Sequence, residues 1–517
     1  MNPIFYGLLA LLAWAPLPLG SNRIWAWAVL VVGCCLLSTA WLAGYALGRF
    51  TVSDAFRRAR WALAAGALWL LYIGLQFTPL PAGWVQMLSP KGYEAHAVAA
   101  GVLGHPLAAM LTLSVDPHAT RDFWFKSLAY GCVFCLTLLL VDTRRRLELL
   151  LKTLVICGTL QALYASVMVL SGLEYGFLIK KYTGQGTATG TFINRNHLAG
   201  YLNLCLAMGI GLMISKLGGE AIHTWRQRLR SIVRLLLGEK TRLRIYLIVM
   251  VIGLVLTRSR MGNTAFFAGT LIVGVIGLLL MRNAPRSTLL FLASVIALDV
   301  LIVGTWFGID QVAKRIQQTE VTSNIDNPLP TEDRDEVDRQ ALSYAKDFLL
   351  TGSGGGSFYV TFPTYAGAGI ISFFDHAHND YLQLLTETGV IGFSLCVLIV
   401  AMAAAQALLA VRRRNEPLMR GTAFGVTLAI CWLAIHSTVD FNMQIPANAM
   451  AMTMILALAW VAASVRAGKP DRANREESSG RPGRSGSEVS ATPAFVSPVA
   501  NGPGPGRPAS GLRATDR

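Results

Sequence analysis

The feature that most constrains this chain is a succession of apolar runs of about 20 residues, separated by short connections rich in arginine. At a rise of about 1.5 Å per residue, a helix of that length crosses the hydrocarbon core of a bilayer. Lipid offers no partner to backbone N–H and C=O groups, so such runs must satisfy them internally, as helices. Twelve candidate spans follow: 4–20, 25–48, 61–79, 123–141, 147–170, 196–215, 245–257, 264–281, 288–309, 389–411, 421–439 and 447–465. The expected fold is an all-α polytopic membrane protein with about twelve transmembrane helices. Composition agrees, because 53% hydrophobic and 14% charged residues exclude an ordinary soluble domain.

A net charge of +16 raises the question of nucleic acid, but its distribution answers it. Arginine and lysine cluster in alternate connections: Arg49 to Arg60, Arg144 to Arg146, Lys216 to Arg244, Arg282 to Arg286 and Arg412 to Arg420. With twelve alternating spans all of these fall on one side, as positively charged cytoplasmic loops require. Both termini are then cytoplasmic, and 80–122, 171–195, 258–263, 310–388 and 440–446 lie on the opposite, periplasmic or extracellular side. The first segment, Ile4 to Leu19, lacks a basic leader and a small-residue cleavage site, so it reads as a first membrane helix. All eight cysteines lie in apolar runs, which implies no disulfide framework, and Cys132-x-x-Cys135 reads as small packing residues. Residues 1–465, including the loop 310–388, form the expected membrane domain. Residues 466–517 are rich in Gly, Pro, Ser and Arg and are expected to be a disordered cytoplasmic tail, unable to bury enough apolar surface to offset ordering entropy.

The long polar loop concentrates the titratable residues. Val337, Ala341, Tyr344, Ala345 and Phe348 recur at helical spacing, which predicts a helix from Arg334 to Leu350. Thr351 to Ser357, rich in glycine, then serves as a turn, since it lacks the Gly-Lys-[Ser/Thr] ending of a phosphate loop. Phe358 to Phe362 reads as extended, and Asn379 or Asp380 as the cap of the next helix. Between them stand His376 and His378. Local solvation accounts for such a pair, and so does a general base working near neutral pH. The loop has no cysteine and no HExxH spacing, so no metal site is expected.

Arginines on the periplasmic side run against the charge bias of membrane loops and are the candidate anion ligands. Arg258 and Arg260 close a short turn, Arg195 opens a span, and Arg334 opens the loop helix. Guanidinium forks suit phosphate oxygens, although each arginine alone is also compatible with snorkelling to headgroups. Asp299, in the middle of span 288–309, is a functional candidate without an assigned role.

Taken in order, these stretches resemble the O-antigen ligase and polymerase superfamily. The resemblance rests on Gly190 to Leu202, Thr257-Arg258-Ser259-Arg260, Arg334 ahead of Leu350 to Gly354, His378 to Gln383 followed by Glu387-Thr388-Gly389, and His436 to Asn442, with Leu113 to Thr120 as an early loop. It covers roughly residues 110–460. It implies a GT-C-like inner-membrane glycosyltransferase, free of metal and cofactor, that takes a glycan from undecaprenyl pyrophosphate. The acceptor would be lipid A-core, a growing polysaccharide or a protein hydroxyl, and no nucleic acid is involved. His378 is then the base. Arg260 and Arg334, with Arg258 competing and Arg195 and Asn379 nearby, would bind the substrate. The alternative class is a flippase for lipid-linked oligosaccharides, whose polar site would sit at mid-membrane, as Asp299 does, whereas most polar residues here crowd the periplasmic side.

Overall fold

A computed structural model describes residues 2–465, apart from 177–178, 182–183, 218–237, most of 281–333, 368–369 and 371–372. The described residues are all-α, with two antiparallel ladders of two residues per strand, Leu80–Pro81 with Met110–Leu111 and Tyr175–Gly176 with Ile179–Lys180. In chain order the helices are α1 (Pro3–Trp14), α2 (Ile24–Ala46), α3 (Asp54–Arg58), α4 (Arg60–Phe77), α5 (Ala82–Leu88), α6 (Pro90–Val102), α7 (Pro117–Leu140) and α8 (Arg144–Ser171). There follow α9 (Arg195–Lys216), α10 (Glu239–Leu256), α11 (Arg260–Leu280), α12 (Arg334–Asp347), α13 (Phe358–Thr361), α14 (Asp380–Arg413), α15 (Pro417–His436) and α16 (Pro446–Ser464).

Nine of the described helices are long and apolar enough to cross a membrane: α2, α4, α7, α8, α9, α11, α14, α15 and α16. This is a multi-pass membrane protein. The expected count of twelve is not reached among them, and the three remaining candidates differ in kind. α1 has 12 residues rather than the anticipated 17, because Pro16 and Pro18 remove N–H donors and disfavour helix in the residue before each. α10 is 18 residues long, but its first turns carry Glu239, Lys240, Arg242 and Arg244. Asp299 and most of the span 288–309 lie outside the described residues, as does the tail 466–517.

α9 is the axis, with nearly every side chain buried. Its closest neighbour is α15, where Gly211 and Gly421 are so near that a Cβ on either would collide with the other's carbonyl oxygen. Small residues at a helix crossing allow this approach, and dispersion contacts then replace the hydrophobic drive that lipid cannot provide. Successive long helices alternate in direction. The connections 47–59, 141–143 and 414–416, with the arginines in or beside them, therefore gather at one end, where Ser53 donates to the Leu138 carbonyl and Arg144 pairs with Glu416. The starts of α9, α11, α14 and α16 and the ends of α10 and α15 gather at the other, the site end.

The loop region at the site end has its own small cores. α12 buries Val337, Ala341, Tyr344 and Ala345 with Phe348, Phe358, Phe362 and Phe374. The segment Phe358–Phe362, expected to be extended, is instead the short helix α13 followed by a 3-10 turn at Phe362–Thr364, because its aromatic rings stack on one another and on Tyr344.

Candidate active site

Three tight connections build the site. α9 starts under Asn194, whose Oδ1 accepts the Asn196 N–H at 2.8 Å, leaving Arg195 exposed and His197 buried two residues later. Between α10 and α11 the chain turns through Thr257-Arg258-Ser259-Arg260. The Thr257 hydroxyl accepts the Ser259 N–H at 3.1 Å, and the Ser259 hydroxyl accepts the Gly262 N–H at 3.1 Å. Both hydroxyls are thus turned inward while Arg258 and Arg260 are exposed. Asn203 of α9 donates to the Gly262 carbonyl at 3.0 Å, and Gly262 lies against Ala199, so the turn is fastened to α9 next to His197.

The third connection, 437–445, carries the centre of the site. The ring of Phe441 stacks on His376 at 4.3 Å and meets His197 at 4.6 Å and His378 at 4.8 Å edge-on, so three imidazoles surround one aromatic ring. Asp440, buried beneath it, accepts the Phe441 N–H at 2.8 Å and lies 3.5 Å from His197 Nε2. Burial alone would raise the Asp440 carboxyl. The hydrogen bond and charge of His197, with the charge of His436, outweigh it and hold Asp440 well below the usual carboxylate range. Asp380, the first residue of α14, clamps the connection: its carboxylate accepts the Ser437 hydroxyl at 2.7 Å and the Met443 N–H at 3.1 Å.

The two histidines of the pair are held differently. His376 Nδ1 lies 2.9 Å from Gln383 Nε2, which also donates to Glu387 at 3.0 Å. Burial pushes the His376 imidazole down to about 4, against the raising influence of Asp375 and Gln383. His378 stands on a left-handed backbone, φ 53°. Only four described residues other than glycine do so, and Arg258, φ 51°, is another. Such a conformation costs a side-chain-bearing residue about 1–2 kcal/mol and persists where the surroundings impose it, often at functional sites.

The sequence-predicted residues thus divide. Arg195 opens α9, the turn with Arg258 and Arg260 is fastened to α9 through Gly262, and His378 meets the same Phe441 ring as His197 of α9. The side chains of Arg258 and Arg260 have neither ion pair nor hydrogen bond among the described residues, although the Arg258 N–H donates to the Val255 carbonyl at 2.9 Å. Asn379 caps α14, its Oδ1 accepting the N–H groups of Tyr381 at 3.1 Å and Leu382 at 3.2 Å. Arg334 is the first residue of α12, and its side chain lies outside what the structure describes. Among the described residues no three His, Cys, Asp or Glu side chains are placed to hold a metal ion. Sequence reasoning did not single out His197, Asp440 or Phe441, and it took Asp380 only as a candidate helix cap. The available signal was polar residues abutting an apolar run, in stretches already marked as motifs.

The other motif stretches form a scaffold rather than a site. Ser353 N–H donates to Thr386 O at 3.0 Å, Gly354 N–H to Glu387 O at 2.9 Å, and Val115 N–H to Ser353 O at 2.8 Å. Gln76 of α4 donates to the carbonyls of Thr351 at 2.8 Å and Glu387 at 3.0 Å. Gly389 breaks α14 here with φ 61°, and a Cβ on it would strike the Leu350 carbonyl. The glycine-rich turn therefore ties the loop to the bundle and leaves the histidine segment suspended between two fixed points.

The family model described as O-Antigen ligase matches residues 245–397, from α10 to the middle of α14. That span includes Arg258, Arg260, Arg334, His378 and Asn379. The chain has no match among curated proteins.

Proposed function

Taking residues 245–397 as a domain of the O-antigen ligase family, we propose that this membrane protein transfers a glycan from undecaprenyl pyrophosphate to an acceptor hydroxyl. The observation that carries the reading is the turn Thr257–Arg260. It presents two exposed arginines without a carboxylate partner among the described residues, and through Gly262 it is fastened to α9, whose His197 meets the same Phe441 ring as His378.

In this reading Arg258 and Arg260 bind the pyrophosphate, with Arg195 at the edge and Arg334 approaching from the loop. Guanidinium groups disperse the charge that develops on the departing phosphate, and no change of their own protonation is needed. His378 accepts the acceptor hydroxyl proton as the oxygen attacks the anomeric carbon. One displacement inverts the configuration there. The mechanism needs no metal, because the leaving group is already activated. His376, kept neutral and tied to Gln383, serves the fold of the segment. The site end faces the periplasm, both termini are cytoplasmic, and residues 1–465 constitute the catalytic unit.

Incubating the purified protein with lipid-linked donor and, separately, lipid A-core, a lipid-linked repeat or a hydroxyl-bearing protein tests the reaction and identifies the acceptor. Reporter fusions after residues 230 and 415 are expected in the cytoplasm, and one near residue 330 outside. A cytoplasmic signal from the last would sink the mechanism, since the donor glycan would then be on the wrong side.

A further inference from the structure

A polar stripe runs along the first turns of α14. Asn379, Gln383 and Glu387 stand four residues apart and so share one face of the helix. Asn379 is the cap, and Gln383 and Glu387 are 1% and 0% exposed. The Gln383 amide is fully used. Its Nε2 donates to Glu387 Oε1 at 3.0 Å and lies 2.9 Å from His376 Nδ1, while its Oε1 accepts the Ala377 N–H at 3.2 Å. A carboxylate only accepts, so Glu387 draws the amide nitrogen towards itself and leaves the amide oxygen for Ala377. Glu387 Oε1 also accepts the Phe358 N–H at 3.4 Å, and the Glu387 carbonyl accepts from the Gly354 N–H and from Gln76. The stripe therefore links α4 and the loop core, through consecutive hydrogen bonds, to the residue ahead of His378.

His378 stands between two residues that α14 holds. Ala377 before it is bonded to Gln383, and Asn379 after it accepts the N–H groups of Tyr381 and Leu382. A left-handed backbone at a residue with a side chain persists where its neighbours impose it, and here both neighbours are fixed to one helix. We propose that Gln383 is a positioning residue, whose amide, oriented by Glu387, clamps the chain ahead of His378 and imposes the turn that aims its imidazole. This rests on the reading of His378 as the general base, and it is independent of what the imidazole itself touches. His376 shares the amide but not the role, because the bond that sets the turn is the one to the Ala377 backbone. A misplacement of about 1 Å at such a base costs on the order of 10²-fold in rate.

The test uses the full-length purified protein with lipid-linked donor. Gln383→Met keeps the length of the side chain and removes its hydrogen bonds. It should lower kcat by about 10²-fold while the KM for donor stays within about twofold, since the arginines are untouched. Gln383→Glu still accepts the Ala377 N–H but sets a second carboxylate against Glu387, and its kcat should fall in the same direction. Adding Glu387→Gln reverses the pair, so that the amide donates from position 387 to the carboxylate at 383. The reversed pair should recover kcat to within about threefold of the parent. A residue that only stabilised the fold would lower the yield of folded protein and leave the kcat of the remainder unchanged. Histidine labelled at Cε1 gives an independent readout by NMR. In Gln383→Met the His376 and His378 signals should move, while those of His96, His105 and His118 do not. Parental kcat in folded Gln383→Met, or a reversed pair no faster than Gln383→Glu, overturns the clamp. If Gln383→Met does not fold, the comparison of Gln383→Glu with the reversed pair carries the test. Parental turnover in His378→Ala would instead remove the base, and an unmoved His378 signal would then still overturn the clamp.

Discussion

Cations near the helix ends of the bundle fall into two kinds, those paired with acids and those left exposed. At the basic end, Lys216 lies 2.9 Å from both Glu148 and Glu239, Lys152 lies 3.1 Å from Glu148, Arg144 lies 3.1 Å from Glu416 and Arg146 lies 2.8 Å from Asp142. Lys216 thereby joins α9 to α8 and α10, and Arg144 joins α8 to the cap of α15, while the other two pairs are local. At the site end, Arg258 and Arg260 are exposed with no such partner among the described residues, while the carboxylates of Asp380 and Asp440 are turned inward to fix the backbone. The same residue type is structural where acids accompany it.

The sharpest way to break this comparison is at the histidine pair. His378→Ala is expected to lower transfer by about 10²–10⁴-fold with normal membrane insertion. His376→Ala should retain most activity, because its tether to Gln383 is structural. Equal losses in both, measured as turnover on purified variants, would mean that the segment rather than one base is what matters.

A smaller effect is expected at Arg260. Replacing it by lysine keeps the charge but removes the bidentate fork, with a loss of about 1.5–3 kcal/mol, or roughly 10- to 10²-fold, seen chiefly in donor affinity. Lipid-linked donor binding measured directly on Arg260→Lys decides it, and undiminished binding would exclude this arginine as a pyrophosphate ligand.

The smallest effect belongs to the basic end. Hydrogen bonds from Lys152, then Lys216, hold Glu239 down to about 2, below its ordinary 4.5. A depressed carboxylate stabilises the fold above its unfolded value, and that stability is lost as pH falls from about 4.5 towards 2. Because the pair is largely exposed, solvent screening limits the contribution to under about 1 kcal/mol. Thermal unfolding of Glu239→Gln should therefore differ slightly from the parent at neutral pH and converge with it in acid. Transfer at neutral pH should be unaffected. A large loss of activity would show that the two ends are coupled.

Apolar periodicity made most helices legible, and where it misled, the reason was local. The apolar run 4–20 was real, but the backbone chemistry of Pro16 and Pro18 stopped its helix at Trp14. Phe358 to Phe362 looked extended by composition, whereas the contacts that make it helical come from Tyr344, 14 residues earlier. The candidate arginines and His378 were readable because a cation on the unexpected side, or a titratable pair at a boundary, is unusual in itself. Phe441 carried no such mark. An aromatic residue beside an apolar run is ordinary, and only its three imidazole neighbours distinguish it.

By itself, then, the sequence determined the number of residues available to each span, the sorting of basic connections to one side, and which residue types could do chemistry. These follow from interactions local in the chain or with the surrounding solvent: backbone bonds within a helix, apolar transfer into lipid, and the cost of carrying charge across it. Only the tertiary structure decided that His197, His376 and His378, up to 181 residues apart, share one ring, and that Gly352 to Ser357 is a strut tied to Glu387 rather than a ligand loop. Contacts between distant segments depend on how α9, α14 and α15 pack, and that packing is fixed by many weak contacts at once, none of which any single stretch of sequence contains.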